Sequence, residues 1–67
     1  MINILLVEDD STLAIGLKYA LENEGFGVEW ANTIEAATKA LNQAQFHLII
    51  LDIMLPDGNG YDFCRYI

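Results

Sequence analysis

The chain has 67 residues, 54% of them hydrophobic, and a formal net charge of −7 from 3 Lys and Arg against 10 Asp and Glu. That length holds one small core and not two; the apolar content excludes a disordered chain, and so acidic a surface excludes nucleic acid and anionic lipid as natural partners of this segment. The lone Cys64 cannot close an internal disulfide, no apolar run approaches the ~18 residues of a membrane span, and Met1-Ile2-Asn3 lacks a positively charged leader, so a reducing cytoplasm is the expected compartment.

Ile2-Asn3-Ile4-Leu5-Leu6-Val7 is nearly all apolar and rich in β-branched residues, which predicts a strand covered on both faces. Glu8-Asp9-Asp10-Ser11 interrupts it, with Asp10 or Ser11 as helix N-cap. Leu13, Leu17, Ala20, Leu21 and Glu24 follow at helical spacing, and Gly25 suits the position that stops a helix. A short second strand is predicted over Phe26 to Ala31, with Val28 and Trp30. Asn32 and Glu35 have the spacing of a capping box ahead of a helix whose apolar stripe is Ile34, Ala37, Leu41 and Ala44. Phe46 to Leu51 reads as a third apolar strand ending at Asp52. A loop containing Pro56, Gly58 and Gly60 comes next, and Tyr61 to Ile67 reads as the start of a third helix. Strands alternating with helices predict an α/β fold, a parallel sheet with right-handed crossovers.

In open α/β sheets ligands bind beyond the carboxyl ends of the strands. Here Glu8-Asp9-Asp10 ends the first strand and Asp52 ends the third. If those two strands are neighbours, three or four carboxylates share one cleft. Their mutual repulsion is relieved by a divalent cation, and an all-oxygen donor set selects Mg²⁺ or Mn²⁺ over softer metals. The plainer reading is that Asp9 and Asp10 only cap a helix and Asp52 only opens a loop. With a metal beside it, Asp52 is a candidate nucleophile that accepts a phosphoryl group as an acyl phosphate.

Val7-Glu8-Asp9-Asp10 after a first strand, and Leu51-Asp52-Ile53-Met54-Leu55-Pro56-Asp57-Gly58-Asn59-Gly60 after a third, resemble the receiver domains of two-component response regulators, most of all those carrying a winged-helix DNA-binding domain. The resemblance runs along all 67 residues and covers about the first half of the family's five-stranded, flavodoxin-like (CheY-like) domain. It implies strand order 2-1-3, with residues 1–67 as the N-terminal portion of a receiver domain. It implies that Asp52 takes a phosphoryl group from a sensor histidine kinase. Asp9 would hold Mg²⁺ directly, Glu8 would hold it through water, and the Met54 carbonyl would be a further ligand. Pro56 and Gly60 would shape the loop, and Asp10 would be acidic without being a ligand. The family also uses a Ser or Thr after its fourth strand and a Lys after its fifth. None of Lys18, Lys39 and Arg65 matches that Lys, so these residues alone are expected not to switch.

The remaining candidates are bland. His47 precedes a strand, away from the carboxylates, and is expected to be structural. Cys64 with Phe63 and Ile67 reads as core of the third helix. Asp57 to Asp62 fails as a Ca²⁺ loop, with Tyr61 at the fifth place and Asp62 where Gly is needed. A dinucleotide site lacks its glycine turn. A Mg²⁺-dependent aspartyl phosphatase of the haloacid-dehalogenase kind would need a second Asp where Met54 stands. The alternative of a different class is a non-signalling assembly fragment with a vestigial acidic site. Without a fourth strand the third presents an open edge, which predicts a homodimer through the third strand or third helix.

Overall fold

A computed structural model describes residues 1–51 and the backbone of residues 54–55 and 58–59. The order is β1 (Asn3–Val7), α1 (Ser11–Asn23), β2 (Gly27–Ala31), α2 (Ile34–Gln43), β3 (Leu48–Leu51), β4 (Met54–Leu55) and β5 (Gly58–Asn59). The first three strands form one parallel sheet in the order β2-β1-β3. Leu5 stands between Glu29 and Ile49, and Val7 between Ala31 and Leu51. The α/β class, the parallel sheet and the 2-1-3 order are as expected. The stretch expected to be loop instead contains a short antiparallel ladder, Met54 opposite Asn59 and Leu55 opposite Gly58. The expected third helix over residues 61–67, and with it Cys64, lies outside the described residues.

Local chemistry explains the helix ends. The Asp10 carboxylate accepts from the backbone N–H of Thr12 (3.0 Å) and of Leu13 (3.2 Å), taking two of the donors that a helix start leaves without intrahelical partners. Gly25 has φ +92°, and the N–H groups of Gly25 and Phe26 bond back to the carbonyls of Glu22 and Leu21. This is the crossed pair of a Schellman motif, and it ends α1. α2 is capped by Thr33 and not Asn32: Thr33 Oγ1 accepts from Ala36 N–H at 3.0 Å. The cap therefore lies one residue later than expected, and with Ala36 three residues after it the reciprocal half of a capping box is absent. Glu35 forms an exposed i,i+4 pair with Lys39.

Ile4, Leu5, Leu6 and Val7 are all buried, because β1 has a strand on each edge and a covered surface on each face. On one face Leu5, Val7 and Ala31 pack with Ala37 and Ala40 of α2, joined by Ile49, Leu51 and Phe46. The small residues on α2 let helix and sheet approach closely. On α1 the one buried residue is Ala14. Leu17 and Leu21 are half-buried, while Leu13 is 50% exposed and Ala20 is exposed. Among the described residues the covered line of α1 is therefore Ala14, Leu17 and Leu21, with Leu13 and Ala20 outside it. β3 is shorter than expected, and Leu48 is 52% exposed.

Candidate functional site: the acidic rim at the carboxyl ends of the strands

Where β1 ends, Glu8 is held closely. Its backbone N–H donates to the Ala31 carbonyl (3.0 Å), which extends the β1–β2 ladder one rung beyond Val7. Its carbonyl accepts from the Trp30 indole Nε1–H at 2.8 Å. Its carboxylate Oε2 accepts from the Asp10 N–H at 3.3 Å. The residue is 8% exposed, so a carboxylate sits at the edge of the core with its backbone clamped by β2. Asp9 and Asp10 are exposed beside it. Asp10 is engaged in capping α1.

The other predicted site residues fall differently. Leu51, the residue before Asp52, pairs with Val7, the residue before Glu8. Asp52, Pro56 and Gly60 lie outside the described residues. Met54 is in β4, and only its backbone is described. Among the described residues no three His, Cys, Asp or Glu side chains gather tightly enough to hold an ion. The donors the rim does present, the carboxylates of Glu8 and Asp9, are hard oxygens, the chemistry that Mg²⁺ takes. Two of the three basic side chains lie on helix surfaces, Lys18 with Glu22 (3.5 Å) and Lys39 with Glu35 (3.4 Å). Exposed pairs of this kind contribute ~0.3–0.5 kcal/mol, so they decorate the helices and do not organise the site.

His47 lies at the opposite end of the sheet. Its backbone N–H donates to the Asn3 carbonyl (2.8 Å) and its Nδ1 accepts the Asn3 N–H (3.0 Å). It pins the start of β3 to β1, the structural role expected of it. An open cavity at that end, lined by Asn3, Val28, Glu29, Gln45 and Phe46, has one carboxylate and is remote from the rim. The sequence pattern places Trp30 on the second strand and gives it no part in the site. The available signal was its N–H, since a half-buried indole seeks an acceptor.

A family model described as the response regulator receiver domain matches residues 4–67. The chain is 48% identical over 58 residues to the swarming motility regulation protein RssB of Serratia marcescens, covering 87% of this chain and 26% of that protein. It is 45% identical over 62 residues to the response regulator protein PmrA of Pseudomonas aeruginosa, covering 92% and 28%. Among solved structures, the non-phosphorylated HemR receiver domain from Leptospira biflexa superposes with a TM-score of 0.93 at 45% identity, covering 98% of this chain and 53% of that one. The response regulator TrrA from Thermotoga maritima, in complex with Mg²⁺ and BeF, superposes with a TM-score of 0.94 at 33% identity, covering 100% and 58%. The chain therefore spans under a third of these curated relatives and a little over half of these solved chains.

Proposed function

Because the chain belongs to the response regulator receiver domain family, we propose that Asp52 is the acceptor of a phosphoryl group delivered by a sensor histidine kinase. A carboxylate oxygen of Asp52 attacks phosphorus, the bond from phosphorus to the kinase imidazole breaks, and an acyl phosphate forms while the imidazole leaves with the electron pair. The observation that carries this reading is the register: Val7 and Leu51 are paired, and each is followed in the chain by a carboxylate residue of the motif. Asp9 and, through water, Glu8 would hold Mg²⁺ with Asp52 and the Met54 carbonyl. When bound, the ion supplies positive charge against the oxygens of the transferring group. Pro56 and Gly60 would shape the segment that follows the acceptor.

In this reading residues 1–67 are the N-terminal portion of a receiver domain of a cytoplasmic transcriptional regulator. DNA binding, the property of a winged-helix parent, would be carried by other residues. The chain serves as an acceptor and not as an enzyme turning over a separate substrate. Among the described residues β1 alone pairs with β3, and a second copy of the chain would pair along the other edge, where Leu48 is exposed.

The test is treatment with acetyl phosphate and Mg²⁺, followed by intact and peptide mass analysis. A phosphoryl adduct on Asp52 that disappears in Asp52→Asn is the expected result. An adduct that persists in Asp52→Asn, or none on the unaltered chain, refutes the assignment.

A further inference from the structure

We infer that Trp30 is a positioning residue for the acidic rim: its indole N–H fixes the backbone of Glu8 and thereby sets the geometry in which Glu8 and Asp9 meet a divalent cation. The inference rests on the reading of Glu8 and Asp9 as the metal-holding pair.

The ladder between β1 and β2 explains why an indole is needed. The Glu8 N–H bonds the Ala31 carbonyl, continuing the parallel pattern. In that pattern the Glu8 carbonyl would next accept from the backbone N–H two residues beyond Ala31. That residue is Thr33, where the chain has already turned to cap α2. The carbonyl at this position is part-buried and needs a donor. Trp30, one residue before the end of β2, supplies it from its side chain at 2.8 Å. Glu8 is thus gripped on both backbone polar groups by neighbouring residues of one strand.

The grip acts where the chain changes direction. Val7 is buried in the sheet, Asp9 is exposed, and Glu8 is the joint between them. Its peptide carbonyl belongs to the same rigid plane as the Asp9 N–H. Fixing that oxygen therefore fixes the peptide that leads into Asp9. No charge of Trp30 takes part, and the ring need not touch the ion. The contribution is pre-organisation of the backbone that carries the two carboxylates, so that less of it has to be ordered at the moment of binding.

Trp30 is the one tryptophan among the 67 residues, so biosynthetic replacement alters this site and no other. 7-Azatryptophan keeps the donor N–H. Benzothienylalanine keeps the shape and replaces the N–H by sulfur. Each form, with Trp30→Phe alongside, is titrated with Mn²⁺, and free ion is read by electron paramagnetic resonance. Urea midpoints are measured in parallel. The expected result is equal affinity for the natural and aza forms, and binding roughly 2- to 10-fold weaker for the benzothienyl form and Trp30→Phe, the weight of one hydrogen bond. A purely structural role would lower the midpoint and leave the affinity of the folded protein unmoved. Equal affinity in all forms, with the natural chain binding, overturns the inference and leaves the metal-holding pair intact. Absence of Mn²⁺ binding by the natural chain overturns both.

Discussion

Asp10 separates two explanations of one acidic residue, and its replacement gives graded outcomes. Its Oδ1 takes the N–H groups of both Thr12 and Leu13, and the first turn of α1 contains no acidic residue of its own. Asp10→Ala removes the acceptor and the charge together. Loss of the cap costs about 1 kcal/mol, and loss of a negative charge at a helix start ~0.3–1 kcal/mol more. The total is roughly 1–2 kcal/mol. Asp10→Asn keeps the acceptor and loses only the charge, so its cost is ~0.3–1 kcal/mol. With a urea dependence of ~1 kcal/mol/M for so small a domain, the midpoint drops by about 1–2 M for the first variant and by under ~1 M for the second. Circular dichroism at 222 nm against urea reads both. If Asn costs as much as Ala, charge and not hydrogen bonding maintains the turn; if Ala is silent, the two short contacts contribute nothing to stability. Either result refutes the capping argument.

Further outcomes follow from burial, backbone angle and the open edge. Gly25→Ala is expected to cost ~1–2 kcal/mol in urea melts. A Cβ there meets nothing within 4 Å, so the whole cost is the φ of +92°. Gly16→Ala, inside α1 with equally open space, should instead stabilise by ~0.5–1 kcal/mol. Equal effects at the two glycines would contradict the left-handed cap. Leu5→Ala, at a fully buried position of the central strand, should cost ~2–5 kcal/mol. Total stability at this size is only ~3–10 kcal/mol, so loss of the cooperative transition is the expected readout. Sedimentation equilibrium should detect a dimer at micromolar concentration, and a folded monomer there removes the proposed pairing along β3.

Much of the fold was legible because the strongest signals in the chain are local. A run of four core residues, Ile4 to Val7, announces a central strand, and a glycine after an amphipathic stretch announces its end. The position of the carboxylates was equally legible, since the apolar run stops at Val7 and Glu8-Asp9-Asp10 follows it directly; their use was not, since the same residues also serve as helix caps, as Asp10 does. Other features depend on the third dimension. Asn32 and Thr33 both satisfy the chemistry of a cap, and a shift of one residue leaves the same apolar stripe facing the sheet, so sequence spacing could not choose between them. Which residues of the α1 stripe are covered depends on what packs against the helix, which shows in no single segment. Trp30 and Glu8 are 22 positions apart, and their bond arises only because β2 lies beside β1 and ends where it does. The same holds for His47, whose partner Asn3 is 44 positions away.

The middle place of β1 has a consequence during synthesis. Ile4 pairs with Val28 on one side and Leu48 on the other, so the second partner is 44 positions downstream. At ~5–20 residues per second, the ribosome leaves that flank of an almost wholly apolar segment uncovered for about 2–9 seconds. Charged neighbours are then its main protection, and Glu8, Asp9 and Asp10 lie directly beside it in the chain. The acidic cluster would thus discourage self-association of nascent chains well before any ion or phosphoryl group reaches it.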